Sequence, residues 1–221
     1  MNSTAERHAS AEVVVVGAGD AGLYAAITAA REGARTLLVS QAPLASTASY
    51  WAQGGIAAAL GADDSIELHQ ADTLVAGRRA GRVSAARVLV QDSPTAVRDL
   101  IELGVEFDHD AAGELARGLE GGHSRHRVVH AGGSATGRRI TRELSAQAAE
   151  HPLITVVEQA SAKALAIDEG RCVGVRVRIG DSEDRTLAAR SVILATGGCA
   201  ALWARSTNPP AAIGSGLTMA H

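Results

Sequence analysis

The chain runs to 221 residues, of which 46% are hydrophobic and 20% charged, with a formal net charge of −3. Those values fit a globular protein with one substantial core, or one domain and part of another, and give no electrostatic case for nucleic acid or an acidic membrane as partner. Two cysteines, Cys172 and Cys199, are too few for a disulfide scaffold, no apolar run reaches membrane-spanning length, and Met1 to Glu12 lacks an apolar signal core, so the expected location is cytoplasmic.

The first predicted element is a strand over Val13 to Val16. Four β-branched residues in a row suit a parallel sheet covered on both faces. Gly17-Ala18-Gly19-Asp20-Ala21-Gly22 follows, with its glycines spaced G-x-G-x-x-G, and an Ala-rich, helix-favouring run succeeds it. In that pattern Gly17 permits the tight turn, Gly19 the approach of a pyrophosphate, and Gly22 close packing of helix on strand. The helix N-terminus offers N–H groups and partial positive charge to the phosphates. Thr36 to Val39 is a second strand, after a helix stop at Glu32-Gly33, and completes a β-α-β unit. Ser40 and Gln41 stand where NAD-binding units place an acidic residue for the ribose diol. That argues against plain NAD binding and leaves FAD open.

Ala45 to Leu60 is small, polar and Gly-containing, and reads either as close backbone contact with a flat ligand or as a connecting loop. Asp63-Asp64-Ser65 offers an N-cap to a helix with Leu68, Ala71 and Val75 on one face, stopped by Gly77. Ser84 caps a short helix through Leu89, and Asp92-Ser93-Pro94 starts another that buries Val97, Leu100 and Ile101 and ends at Gly104. His69 reads as a solvated surface residue.

Glu120 to His130 carries three histidines, two arginines and a glutamate within eleven residues. Three readings stay open: a metal site, although H-x-x-H-x-x-x-H lacks cysteine or carboxylate company; a basic pocket for a small dicarboxylate; or a solvated polar loop. Ala135-Thr136-Gly137 then leads into a helix with Ile140, Leu144 and Ala148 on one face, and Ile154 to Val157 is a strand. Lys163 to Ile167 and Cys172 to Ile179 form a hairpin about Asp168 to Arg171, with Val173, Val175, Val177 and Ile179 on its buried face. Ser191 to Leu194 is a further buried strand, stopping at the small residues Ala195-Thr196-Gly197-Gly198. Ile213 to His221 resembles a glycine turn opening a helix of about one turn, shorter than helices that persist unaided, and points to a fragment.

The order G-A-G-D-A-G, W-A-Q-G-G-I-A-A, E-G-G-H-S-R-H-R-V-V-H-A, A-T-G-G and T-N-P closely resembles the L-aspartate oxidase family, within the succinate dehydrogenase and fumarate reductase flavoprotein superfamily. The resemblance runs from about Glu12 to the last residue. Gln53-Gly54-Gly55 and Thr196-Gly197-Gly198 mark the superfamily, and Glu120-Gly121-Gly122-His123-Ser124 the aspartate-oxidising branch. The resemblance implies an α/β, Rossmann-like FAD-binding domain over residues 1–221. Its features would be a central parallel sheet, flanking helices and an inserted β-hairpin or meander. The capping domain and second FAD-binding segment would follow His221.

By the same resemblance, Gly17, Ala18, Gly19, Asp20, Ala21 and Gly22 would hold the pyrophosphate, with Ser40 and Gln41 near the adenosine. Ala48, Ser49, Tyr50, Trp51, Ala52, Gln53, Gly54 and Gly55 would wrap the flavin, with Thr196, Gly197 and Ser215 as further contacts. Ala48 stands near where respiratory members carry a flavin-linked histidine, so the FAD would be held non-covalently. The implied reaction is hydride transfer from Cα of L-aspartate to the flavin, giving iminoaspartate, the first step of de novo NAD synthesis. Oxygen or fumarate would reoxidise the flavin, and a functional link to quinolinate synthase follows. Glu120 would be the catalytic residue beside the substrate ammonium, and no metal is implied. Gln41, Ser134 and Ser215 depart from the lysine and two aspartates common in the family, with Ser134 expected to cap the following helix. The alternatives are a soluble fumarate reductase or succinate dehydrogenase-type flavoprotein, or a truncated flavin-binding module without turnover.

Overall fold

The computed structural model describes residues 10–43, 47–210 and 212–221. The start of the small polar stretch, at Ala45 and Ser46, and most of the segment before the first strand lie outside the described residues. In chain order the elements are β1 (Ser10–Val16), α1 (Asp20–Arg31), β2 (Thr36–Val39), β3 (Ile56–Ala57), α2 (Ile66–Ala76), α3 (Val83–Glu102), β4 (Arg117–Gly118), β5 (Val128–Val129), α4 (Thr136–Glu150), β6 (Ile154–Val157), β7 (Ala160–Asp168), β8 (Arg171–Ile179), β9 (Arg185–Leu194) and α5 (Ser215–Ala220). They gather into two compact units, residues 1–50 with 144–221, and residues 51–143.

The first unit is built on one sheet of order β6-β2-β1-β9-β8-β7. The strands β6, β2, β1 and β9 run parallel, and β9, β8 and β7 pair antiparallel. The valine run forms the middle strand: Val14 and Val15 are fully buried and Val16 nearly so. That burial is what a strand covered on both faces requires. Val16 pairs with Val39 on one side and Leu194 on the other, so the carboxyl ends of β1, β2 and β9 stop level with one another. Helix α1 packs Leu23, Ala26, Ile27 and Ala30 inward as a single stripe.

The predicted hairpin is present as β7 and β8. It is the antiparallel margin of the same sheet, because β9 begins at Arg185 rather than Ser191 and its first half pairs with β8. Several expected core residues are not buried: Ile101 of α3 is 41% exposed, Ile193 of β9 is 38% exposed, and Val173 of β8 is exposed, while Val175 and Val177 beside it are fully buried. Ala166 pairs with Gly174 but Ile167 with Cys172, so Val173 is an extra residue bulged out of β8. A bulge of one residue interrupts the alternation that the sequence pattern assumes.

The second unit holds the helices α2 and α3 and a small antiparallel sheet of order β3-β5-β4. Ser65 caps α2 as expected, its hydroxyl accepting from the Leu68 N–H at 3.2 Å, and Gly77 closes the helix. The two short helices expected between Ser84 and Gly104 are instead the single helix α3, which passes through Pro94. Proline removes the N–H that would bond the Val90 carbonyl, but the Ser93 hydroxyl donates to that carbonyl at 2.9 Å. Ser134 is likewise no helix cap. It lies in a 3-10 turn over Gly133–Ala135, and the local ties come from Thr136, whose hydroxyl accepts from the Ala131 N–H and donates to the Gly133 carbonyl. No helix among the described residues is long and apolar enough to cross a membrane.

Candidate functional site

A crevice of about 480 Å³ opens where β1, β2 and β9 end. Open α/β sheets bind ligands at such carboxyl ends. Of the residues expected at a cofactor, Gly17, Ala18, Gly19, Ala21, Ser40, Gln41, Ala48, Ser49, Thr196, Gly197 and Ser215 line it. Gly17 sits at φ +109°, and a Cβ there would overlap the Ala195 carbonyl oxygen. A Cβ on Gly22 would overlap the Gly17 carbonyl oxygen, so Gly22 serves the packing of α1 under the turn and does not line the crevice. Gly19 is the N-cap of α1 in extended conformation, and a Cβ there would lie 3.1 Å from the Ser49 Oγ. That hydroxyl accepts from the Asp20 N–H at 3.1 Å, tying the segment after β2 to the mouth of the helix.

The result is a wall of glycine and alanine backbone at the start of a twelve-residue helix, a donor set suited to a diphosphate. Ser40 donates its hydroxyl to the Ala42 carbonyl, so toward a nucleotide it can only accept. Two lining residues that sequence reasoning missed are Ala160 and Ala162, small residues at alternate positions of β7 that leave the crevice open.

Trp51, Ala52, Gln53, Gly54 and Gly55 belong to the second unit. Gly55 lies against the Val129 carbonyl, where a Cβ would overlap, and the Ala52 carbonyl accepts from the Gly137 N–H at 2.9 Å. Gln53 lines a separate cavity of about 570 Å³ together with Asp108, Arg117, Glu120, His130 and Ser134. Glu120 is half-exposed there, and its Oε1 lies 2.9 Å from the His130 Nε2. The Asp108 carboxylate accepts from the N–H groups of Gly133 and Gly132, both at 2.8 Å, which hold its pKa below the ordinary value. Asp108 and Arg117 carried no motif that would have marked them. They reach the cavity through β4 and the backbone bonds Asp108 N–H to His130 and Ala116 N–H to Asp108.

The cluster from Glu120 to His130 divides by direction. Arg127 has no exposed side chain and is fully paired: Nε and Nη2 donate to the two Asp64 oxygens, each at 2.8 Å, and Nη1 donates to Asp72 Oδ2 at 2.6 Å. His123 Nδ1 lies 3.2 Å from that Nη1, and His126 faces the Arg117 carbonyl. Asp72 Oδ2 also accepts from the N–H and hydroxyl of Ser124, both at 2.8 Å. Burial alone would raise the Asp72 carboxyl, but these bonds from Ser124 and Arg127 outweigh it and hold its pKa at about 2. His69 is a correction to the surface expectation: it is 5% exposed, its ring lies 5.8 Å from that of His123, and burial foremost, then the charges of Arg127 and His123, depress its pKa. Neither a solvated loop nor a three-histidine cluster describes this arrangement. Only Glu120 and His130 of the segment line the cavity.

Crevice and glycine turn together define a dinucleotide-binding α/β protein, and residues 12–221 match the model of the FAD binding domain family, to which the chain belongs. Over 215 residues it is 43% identical to the L-aspartate oxidase of Streptomyces coelicolor, covering 96% of this chain and 37% of that protein. Among solved structures it superposes with a TM-score of 0.90 on the Mycobacterium smegmatis Sdh1 complex, at 30% identity over 96% of this chain and 38% of that one. The Escherichia coli quinol fumarate reductase FrdA carrying an E245Q mutation gives a TM-score of 0.91 at 27% identity, over 96% and 36% of the two chains. The chain therefore spans under two fifths of the length of these relatives.

Proposed function

We propose that residues 1–221 form the N-terminal segment of the FAD-binding domain of an L-aspartate-oxidising enzyme, whose product is iminoaspartate and whose reduced flavin is reoxidised by oxygen or fumarate. The observation that carries the reading is Glu120, a half-exposed carboxylate of the Glu-Gly-Gly-His-Ser segment held inside a cavity. Bound FAD supplies the two-electron acceptor for the Cα–H bond. The chain's own residues bind and orient. The Gly17–Gly22 turn and the amides of α1 cradle the diphosphate, with Ser40 and Gln41 toward the adenosine. Ala48 offers no nucleophile for a covalent link, so the cofactor is held by contacts alone. Glu120 pairs with the substrate ammonium, a group that succinate and fumarate lack, and so separates aspartate from its isosteres. The test is steady-state turnover of the full-length, FAD-loaded protein on L-aspartate and on succinate. A strong preference for aspartate is expected. Preference for succinate would replace this reading by a fumarate reductase or succinate dehydrogenase activity.

A further inference from the structure

Glu120 alone is a poor selector. Its side chain is 48% exposed, it has three rotatable bonds, and it follows from a loop whose next two residues are Gly121 and Gly122. A carboxylate so placed samples many orientations and stays hydrated, and ordering it costs rotamer entropy each time a ligand binds. His130 removes that freedom from one side. Its ring follows directly on β5, whose Val128 and Val129 are buried, and its backbone carbonyl accepts from the Asp108 N–H at 2.8 Å. The ring is itself less exposed than its partner, at 24%, and lies against Gly118, where a Cβ would sit 3.5 Å from its Cε1. The ring is thus anchored by the sheet, and its Nε2 meets one carboxylate oxygen, Oε1, at 2.9 Å.

We infer that His130 is a specificity-determining positioning residue: donating from Nε2 to Glu120 Oε1, it fixes the carboxylate so that Oε2 is presented to the ammonium of an amino-dicarboxylate ligand. This rests on the proposal that Glu120 recognises an ammonium. It goes further by assigning the discrimination to a pair, with the imidazole acting only through the carboxylate. The other charged groups of the cavity do not substitute for it. The Asp108 carboxylate is turned to the amides of Gly132 and Gly133, and Arg117 repels an ammonium.

The experiment uses the full-length, FAD-loaded protein and four variants: His130→Leu, His130→Gln, Glu120→Gln and the double variant Glu120→Gln/His130→Leu. KM and kcat are measured with L-aspartate. The Kd of succinate, a dicarboxylate without ammonium, is read from the perturbation of the flavin spectrum without turnover. His130→Leu should raise KM for aspartate about tenfold, the weight of one ordinary hydrogen-bond difference, with kcat and the succinate Kd changed less than about twofold. His130→Gln, which keeps an N–H donor of similar reach, should restore most of the loss, and the double variant should be no worse than Glu120→Gln. If Glu120→Gln lowers the preference for aspartate and His130→Leu does not, the positioning role is wrong while the recognition by Glu120 stands. If Glu120→Gln itself leaves the preference intact, the underlying reading fails. A loss in His130→Leu that affects succinate equally, or that glutamine does not restore, marks a structural residue and overturns the inference.

Discussion

Arg127 looks, in sequence, like one more cation of a basic pocket, yet its guanidinium has no solvent exposure and is spent on Asp64 and Asp72. Those partners lie 63 and 55 residues upstream, beyond any local spacing rule, and so the assignment was not legible before the fold. Glu120 is singled out by a short, specific string; its contact with His130, ten residues on across a loop and a strand, was not legible. Arg127→Met leaves the buried Asp64 carboxylate without its guanidinium, while Asp72, 18% exposed, keeps its bonds from Ser124, and breaking a buried pair from one side costs about 3–5 kcal/mol. Chemical denaturation should show a loss of that size, whereas a loss below about 1 kcal/mol would mean that the aspartates are readily rehydrated. Glu120→Gln keeps the shape and removes the charge. A hydrogen bond to a charged group contributes about 1.5–3 kcal/mol, so kcat/KM for aspartate should fall roughly ten- to 150-fold. Fumarate reduction by the reduced protein should fall little, and equal losses for the two substrates would show that Glu120 only supports its loop.

At the scale of elements, the β1–α1–β2 unit was readable because valine burial, glycine spacing and helix stop all agree on one structure. Elsewhere the local pattern was overridden by the context of the fold. Pro94 signals a helix start, and only the Ser93 hydroxyl on the Val90 carbonyl lets α3 run through it. Val173 continues an alternating pattern that the bulge in β8 cuts. The glycine turn gives a prediction that separates binding from folding. A branched side chain at Gly19 meets the Ser49 hydroxyl and would fill the proposed diphosphate approach, but its backbone is extended and unstrained. Gly19→Val should therefore fold, with a melting temperature near that of the parent, and purify without flavin. Gly22→Val has no such room against the Gly17 carbonyl and should fail to accumulate as folded protein. A flavin-containing Gly19→Val protein would remove the turn from the cofactor site.

Across the whole molecule, the titratable groups that matter to stability in acid are concentrated in residues 51–143. The core of the sheet-based unit is aliphatic, built from residues such as Val14, Val16, Leu37, Val175 and Val177, with nothing to protonate. The other unit buries His69 and the Arg127–Asp64 side-chain pair, with Asp72 beside them 18% exposed. The signs follow from linkage. His69 has its pKa depressed below 6.5 by burial first, so the unfolded chain takes up its proton earlier and stability falls as pH drops below about 6.5. Asp72 is held at about 2 against an ordinary 3.8, and Asp64 is lowered too, by hydrogen bonds from Arg127 and Ser65 that outweigh its burial. Their contribution is complete above about pH 4 and is lost as pH falls from there toward 2. The melting temperature should therefore decline in two stages on acidification, and amide exchange in α2 should accelerate before that in β1. His69→Gln, which cannot take up a proton, should abolish the upper stage and leave the lower one. An unchanged upper stage in that variant would remove His69 from the account, and simultaneous exchange of α2 and β1 would mean that the whole chain unfolds as one.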